Sequence, residues 1–579
     1  MEKKIQENIS KTSKKWLSVP FGIIVVLCAG ASYNLFAYFQ QVGTILGFGK
    51  ETMGIIKYTV LFGYYFGLLP GLFVQGLGGK FAFIMAAIMA LVSFAGLGWI
   101  AEKGDGTKLE WILMITLLFV GAMSGAIATV ATIIISVTNF PKKSGMLIVV
   151  IMMGYYKVAP YFEYSTRAAF FAEANLLYYF AASGLILAIV YIAAAFLVEE
   201  QNIDDSIHAA IAQFDGTGLM IFVLLEAICL AAYYVTALLY DQWMAGAIIF
   251  YVFIVFNFLA LGVLGKTIAD TLKSGKVSLT GKIDKHNDKS FGAMLGQPKY
   301  LCLMLSTFLV VGVCQTYNFN IFQICFSYNK AGAADHIIDT FWIADMSARF
   351  GGGLLAYLLS SKINGYLFAA LGALTGAVGF GISLLGEPVG ASFIFISCIL
   401  IGICLGTWWV IVPQIVMDDA GPKNFGLNWG LAMFLNALGI LAFGQLFDWI
   451  YGKQGDGSDK CAGEKCILVQ FIIFGVLCLL GVILSYIAFT KDDPAGQEPK
   501  DEKKDKKGKK EEAKSSGKDR GRSKDSKKGG KGEKSAKKDK SDAKTKDTDK
   551  KTKEKSANKE KPADKEKSAK KEKSASKKK

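Results

Sequence analysis

The feature that most constrains this chain is the recurrence of apolar runs about twenty residues long, the length an α-helix needs to cross a bilayer. By that measure fourteen spans are predicted, near 19–40, 55–76, 80–100, 111–136, 144–162, 175–198, 218–240, 244–265, 299–326, 338–360, 364–386, 391–416, 425–451 and 467–490. Backbone polar groups in hydrocarbon must pair within the protein, which restricts spanning chains to helices or closed barrels, and runs this long fit helices. The expected fold is an all-α polytopic membrane protein. Much of the glycine, 62 residues in all, falls inside the spans, where it lets helices approach closely.

Composition becomes informative once the chain is divided. Overall it is 52% hydrophobic with a mean hydropathy of +0.37, yet it carries 64 Lys and Arg against 48 Asp and Glu. Residues 491–579 hold 36 of those cations and 20 of the anions, so residues 1–490 balance at 28 of each. The net charge of +16 therefore belongs to the tail and says nothing about what the membrane part binds. The tail is almost free of apolar residues beyond alanine and repeats Lys-Glu-Lys-Ser-Ala at 553–557, 565–569 and 571–575. Such a segment cannot bury enough surface to fold, and disorder is expected. Its positive charge suits anionic lipid or an acidic protein partner, with a purely solvated tail as the plain alternative. Tethering to a membrane bundle argues against nucleic acid.

The polar start, MEKKIQENISKTSKKW, precedes an apolar run too long for a signal-peptide core, so it is read as a retained first span. Lys3, Lys4, Lys11, Lys14 and Lys15 precede span one; Lys80, Lys142, Lys143 and a lysine-rich loop from Lys266 to Lys289 follow even-numbered spans. The positive-inside rule then puts both termini in the cytosol, without choosing between plasma membrane and an organelle. Of ten cysteines only Cys461 and Cys466 flank a short polar loop, CAGEKC, where a disulfide is plausible on an oxidising side. No Cys/His spacing resembles a metal site, no cofactor is expected, and His208, His286 and His336 sit in or beside polar loops. There is no nucleotide-binding GxxxxGK[ST] and no credible catalytic triad, so neither an enzyme nor an ATP-driven pump is supported.

The halves repeat. Ser32-Tyr33-Asn34-Leu35-Phe36 in span one matches Thr316-Tyr317-Asn318-Phe319-Asn320 in span nine, and Gly71-Leu72-Phe73 through Lys80 matches Gly353-Leu354-Leu355 through Lys362. Two six-helix bundles as parallel repeats, separated by two inserted helices, explain the spacing. The expected organisation is a first bundle over 1–200, two inserted helices and a basic loop over 201–298, a second bundle over 299–490, and the tail over 491–579.

Charges inside the spans carry the candidate chemistry. Asp345 and Arg349 are four residues apart in an apolar run, so a helix puts them on one face. An ionisable residue at mid-bilayer costs roughly 2.5–3.5 kcal/mol on insertion scales, which reserves such residues for a partner, cavity or substrate path. The planar guanidinium of Arg349 matches a carboxylate bidentately. Protonating Asp345 would remove its competition and let a substrate anion take its place. The alternative is a permanent ion pair that fixes helix packing. Lys157 is a second candidate cation, or a residue that snorkels to the interface. Glu226 is expected to pack locally on an inserted helix, and Lys57 to snorkel. Gln414, Asn436, Trp408 and Trp409 are weaker cavity candidates.

The N-terminal segments KKWLSV and CAGASYNLFAYF, the glycine-rich second span, Asn139-Phe140-Pro141-Lys142-Lys143-Ser144-Gly145 and Lys423-Asn424-Phe425-Gly426-Leu427-Asn428-Trp429-Gly430 resemble the nodulin-like branch of the major facilitator superfamily, over roughly 15–490. That resemblance implies a rocker-switch transporter of twelve or fourteen helices with a central cavity. It also implies that the first helix of each half lines the cavity, making Tyr33, Asn34, Tyr317, Asn318, Asn320 and Gln323 candidate contacts. Asp345-Met346-Ser347-Ala348-Arg349 is similar to the Asp-x-x-x-Arg of monocarboxylate transporters, where the arginine holds the substrate carboxylate and the aspartate exchanges a proton. The pattern departs at Gln75 and Gly76, which replace the superfamily's acidic residue and arginine. It departs again at Met153, where the nodulin-like lysine is expected, with Lys157 beyond the matching Gly154. The monocarboxylate group's lysine and acidic-Gly motif in span one are absent.

The sequence thus predicts a proton-coupled secondary transporter of a small organic anion, a carboxylate by preference. Arg349, Lys157, Tyr33, Asn34, Tyr317 and Asn318 would bind substrate, and Asp345 would couple protons. The alternatives are a facilitator of a neutral or zwitterionic solute, and a non-transporting receptor or scaffold that works through its tail.

Overall fold

A computed structural model describes residues 2–47, 50–104, 107–140, 142–170, 176–201, 205–234, 243–274, 288–385, 391–455 and 461–491. The expected disorder of the tail beyond Lys491, and most of the basic loop after span eight, fall outside these residues. Every element among them is helical.

The first part of the chain builds α1 (Glu2–Ile45), α2 (Lys50–Tyr65), α3 (Leu68–Leu77), α4 (Gly79–Lys103), α5 (Lys108–Thr138), α6 (Lys142–Phe170) and α7 (Leu176–Leu197). Then come α8 (Asp205–Tyr234) and α9 (Trp243–Lys273), which pack on α6, α9 reaching α1 as well. The second part builds α10 (Phe291–Leu295), α11 (Pro298–Phe319), α12 (Ile321–Ser327), α13 (Ala334–Ser347) and α14 (Gly353–Leu359). It ends with α15 (Gly365–Ser383), α16 (Ala391–Ala420), α17 (Pro422–Gln454) and α18 (Lys465–Lys491). Cys461 and Cys466 are joined in a disulfide, their Cα atoms 5.8 Å apart.

The helices are apolar nearly all round, and the outward faces of α4, α7, α9 and α18 show Val92, Ile189, Val255 and Ile483 more than half exposed. In water this would be an aggregation surface; in hydrocarbon it costs nothing. Helix starts use ordinary signals: Thr107 and Glu110 form a capping box on α5, and Asn364 accepts from the Tyr366 amide at the start of α15.

Twelve helices among the described residues are long and apolar enough to span a bilayer. The predicted spans at 218–240 and 338–360 are not among them. In α8 the apolar stretch Gly216–Ile228 is short, and residues 235–240 lie outside the described set. The 338–360 run is divided by a π-helical turn over Ala348–Gly352, with Asp339, Asp345 and Arg349 lowering its apolar character. The helix of span five also runs past its predicted end at 162, through Pro160, to Phe170. A proline within a membrane helix is tolerated where neighbours satisfy the freed carbonyls.

The two parts meet along two antiparallel seams. In the first, α2 and α3 lie against α17. Gly67 faces Gly430 and Gly71 faces Gly426, Phe66 meets Phe434 with ring centroids 5.1 Å apart, and Tyr58 donates to Asp448. Beyond the glycines Gln75 Nε2 donates to Asn424 Oδ1 at 3.0 Å. The spacing Gly67-x-x-x-Gly71 opposite Gly426-x-x-x-Gly430 is what lets backbones touch, as in small-residue membrane packing. In the second seam α6 runs against α13, the π turn and α14. Val150 packs on Gly353, Gly154 on the Phe350 ring, and Tyr161 OH donates to Asp339 Oδ1 at 3.2 Å.

A Cβ at Gly67 would stand 2.6 Å from Met433 Cβ and 2.9 Å from the Gly430 carbonyl oxygen. Overpacking of this kind costs about 1–3 kcal/mol, so Gly67→Leu should shift the seam toward its open form by about tenfold or more. A Gln75→Cys/Asn424→Cys pair, tethered by a short bis-thiol reagent, measures it. The cross-linked fraction should fall sharply with Gly67→Leu and stay unchanged with Gly76→Leu, since nothing lies within 4 Å of a Cβ there.

Candidate functional site

The second seam carries the charges. Asp345 is fully buried in the last turn of α13, and its carboxylate is held from both sides. Arg349 Nε donates to Oδ1 at 2.7 Å and Nη2 to Oδ2 at 3.4 Å, while Lys157 Nζ lies 2.8 Å from Oδ2. Arg349 and Lys157 keep 2% and 7% of their side-chain surface. Lys157 therefore does not snorkel: it crosses from α6 to the second half of the molecule. Arg349 reaches back the other way, with Nη1 donating to the Met153 carbonyl at 2.9 Å.

Local structure makes this possible. The π turn begins at Ala348 and contains Arg349; an inserted residue of this kind re-aims side chains and is common at functional sites. Gly406 of α16 sits against the Asp345 carbonyl oxygen and Gly402 against Phe341, so α13 can lie flush on α16. With formal charges, one carboxylate and two cations leave +1 in a buried position.

Aromatic rings wall the cluster. Lys157 Nζ is 3.5 Å from the centre of the Trp342 ring and 5.5 Å from Phe341, and the Arg349 guanidinium is 5.4 Å from Trp409. Desolvated cation–π contacts are worth about 2 kcal/mol, so these rings hold both cations without competing for their charge. Tyr33 packs on Trp342 and Tyr64; Tyr64 stacks on Tyr156; Tyr65 and Tyr156 pack on Trp409. All six side chains are buried or nearly so, and they come from both halves.

The remaining predicted residues divide. Tyr33 belongs to this aromatic wall. Tyr317 stands one ring away, against Phe341, Phe380 and Phe471 in the second half. Asn318 is buried, with its Oδ1 unpartnered among the described residues. Asn34 turns elsewhere: its Nδ2 donates to Glu163 Oε2 and to the Pro160 carbonyl, both at 2.6 Å. Asn320 Oδ1 accepts from Lys57 Nζ at 3.3 Å, so Lys57 also crosses between the halves rather than snorkelling. Gln414 does the same at the other end, donating to Met146 O at 3.4 Å. The Nε1 atoms of Trp408 and Trp409 and both amide atoms of Asn436 are buried without a hydrogen-bond partner among the described residues. A bound solute would have to satisfy such groups.

Glu226 does not pack only within the inserted pair. It accepts from Tyr155 OH on α6, which in turn accepts from Asn257 Nδ2 of α9 at 2.7 Å. Residues the sequence reading passed over are Trp342, Tyr64, Tyr65, Tyr156 and Glu163. The adjacent tyrosine pairs at 64–65 and 155–156 were the available signal; Glu163 was missed because span five was ended one residue short of it.

The N-terminal part of the chain matches the nodulin-like family model over residues 15–264, and residues 293–493 match the model of the NFD4 C-terminal domain. Among curated proteins, a probable transporter mch1 of Emericella nidulans is 30% identical over 94 residues, 16% of this chain and 15% of that protein. This chain thus aligns with a small fraction of that relative's length. Solved structures of similar shape include the transporter FucP in its outward conformation (TM-score 0.45, 15% identity, 82% of this chain and 98% of that one). The human organic anion transporter MFSD10 is another (TM-score 0.46, 11% identity, 83% and 99%).

Removing one member of a buried ion pair costs about 3–5 kcal/mol because the other is left uncompensated. Asp345→Asn strands two cations and should lower the thermal midpoint of the purified protein more than Lys157→Met, which leaves a balanced pair. The double variant Lys157→Met/Asp345→Asn should recover part of the loss. Strict additivity of the two single changes would show that the charges are not coupled.

Proposed function

We propose, from the match of residues 15–264 to the nodulin-like family model and the sequence's resemblance to that branch of the major facilitator superfamily, that this chain is a secondary transporter of a small organic anion, moved with a proton by alternating access. The observation that supports this reading is the unequal count at the second seam: one carboxylate, Asp345, shared by Arg349 and Lys157 inside an aromatic wall contributed by both halves.

The charge count accommodates coupled movement. A substrate carboxylate arriving alone would take the buried charge from +1 to zero, with two anions sharing two cations. Arriving with a proton for Asp345, it leaves the net charge unchanged and has Arg349 and Lys157 to itself. Arg349 then turns its fork from Asp345 to the substrate, Lys157 supplies a second donor, and Tyr33 and Trp342 pack on the solute's apolar body. The proton on Asp345 also breaks its bond to Lys157, the ionic link between α6 and α13. Loading of the site and loosening of the second seam are thereby one event.

Around the charge cluster the halves are joined on both sides: by Lys57, Tyr58 and Tyr161 toward one end, by Gln75, Gln414 and the facing glycines toward the other. We read this arrangement as an occluded state, from which either set of contacts opens in turn. The Cys461–Cys466 bridge ties the loop before α18 to that helix's first turn and fits a non-cytosolic face for this end, in keeping with cytosolic termini.

Uptake of labelled monocarboxylates into proteoliposomes tests the reading. An inward proton gradient should drive accumulation, and Arg349→Lys should lower it by about tenfold or more, the worth of a charge-assisted bidentate bond. Asp345→Asn, normalised to folded protein, should keep solute exchange and lose the response to the gradient. Uptake by Arg349→Lys at the parent rate would rule out the carboxylate as the recognised group.

A further inference from the structure

A cavity of about 370 Å³ lies away from the charge cluster, between α1, α6, α7 and α9. Ile24, Leu187 and Ile254 form apolar walls, and Ile186, half exposed, stands on its rim. The neighbouring surface of α9 is apolar and outward-facing, with Val252 and Val255 more than half exposed. A molecule entering here would come from the bilayer. The volume is within the range of small-ligand pockets.

Two charged residues, Glu163 and Arg167, line this mainly apolar space, whose other polar groups are the hydroxyls of Thr166, Tyr179, Ser183 and Tyr251. Glu163 keeps 9% of its surface. Its Oε2 is fixed by two donors, Asn34 Nδ2 and Tyr38 OH, each at 2.6 Å. Its Oε1 has no hydrogen-bond partner among the described residues. A buried acceptor left in this state costs about 1–3 kcal/mol, which a ligand that donates to it would recover. The Arg167 guanidinium is stacked 4.2 Å from the Tyr38 ring and 5.1 Å from Tyr179. An ammonium head would meet Arg167, and a carboxylate head would meet Glu163. A neutral donor conflicts with neither.

We propose that this cavity is a membrane-facing binding site for an apolar molecule with a single neutral hydroxyl, which donates to Glu163 Oε1. The inserted helix α9 supplies one wall through Tyr251 and Ile254, which gives the inserted pair a role of its own. The occupant would sit on α6 six residues from Lys157, about 9 Å along the helix.

Thermal unfolding of the full-length purified protein, with 1-dodecanol or cholesterol and with the methyl ether of each, tests the proposal. A ligand that binds the native state raises Tm in proportion to its occupancy. At least one alcohol should stabilise the protein at about fivefold lower concentration than its ether, the worth of one hydrogen bond. Stabilisation by dodecanol alone identifies a single-chain alcohol, and by cholesterol alone a sterol. In Glu163→Gln the amide oxygen must face the Asn34 and Tyr38 donors, which turns the NH₂ group into the cavity. The preference for the alcohol should then be lost, since hydroxyl and ether oxygens both accept from that group. Ala182→Trp, on the cavity wall, should remove both responses. Equal responses to alcohol and ether, no response to either alcohol, or a response that survives Ala182→Trp would overturn the assignment.

Discussion

The bond on which the rest of this structure depends is the one between Lys157 and Asp345. It is the ionic contact that joins the two halves at the level of the aromatic wall, and it is buried on all sides. A pair in that position is costly to assemble, and well-packed apolar residues would hold the helices at least as well. On the proposed function, its value lies in being reversible by a single proton. An apolar seam would respond to no ligand; a seam closed by a carboxylate between two cations would respond to both protons and anions. The other features follow from keeping that contact dry. Gly402 and Gly406 bring α16 flush against α13, the π turn swings Arg349 onto the same carboxylate, and Trp342 and Trp409 cover the cations with rings rather than with competing anions.

The two seams are built reciprocally. The second helix of the first half lies on the fifth of the second, and the fifth of the first lies on the second of the other, each pair antiparallel. This is what a pseudo-two-fold relation between parallel repeats produces. The chemistry is not symmetric. Counting from the matched glycines Gly71 and Gly353, Asp345 and Arg349 correspond to Gly63 and Gly67. Where one half places an ion pair, the other places Gly67, which presses on Gly430 across the first seam, and Gly63, which packs on Phe119 of α5 in its own half. Such a division fits a molecule in which one seam senses the ligand and the other acts as a bearing surface of nearly constant character.

Most of the architecture was legible because hydrocarbon leaves the chain so few choices. Apolar length gives the spans, and the repeat of Tyr33-Asn34 at Tyr317-Asn318 gives the two-part plan. Asp345 and Arg349 stood out because charges in an apolar run need a reason. What pattern alone could not give was the partner across the seam. Lys157 sits 188 residues from Asp345, and its two readings, snorkelling or buried cation, differ only in the direction of a long flexible side chain. The same limit hid Glu226: its partner Tyr155 is on another helix, and no local spacing encodes that contact. Asn34 was placed with the central cavity by analogy with its repeat, yet its amide turns to Glu163. The cause is local, since Glu163 brings a carboxylate beside the Pro160 carbonyl, and the Asn34 amide donates to both.

That diversion of Asn34 bears on how α6 works. Along one helix, Met153 and Lys157 face the second half, Tyr155 faces the inserted pair, and Glu163 faces α1. Each contact is polar, each is buried, and each joins α6 to a different neighbour. A helix held this way cannot tilt without exchanging specific hydrogen bonds, so its motion is stepwise rather than continuous. Releasing Lys157 from Asp345 frees the face toward the second half and leaves the anchors to α1, α8 and α9 intact. On the proposed alternating-access reading the helix would then move with the first half and the inserted pair as one body, away from α13. The inserted helices would in this sense be part of the lever: their polar tie at Tyr155 lies two residues from the cation whose release would start that motion.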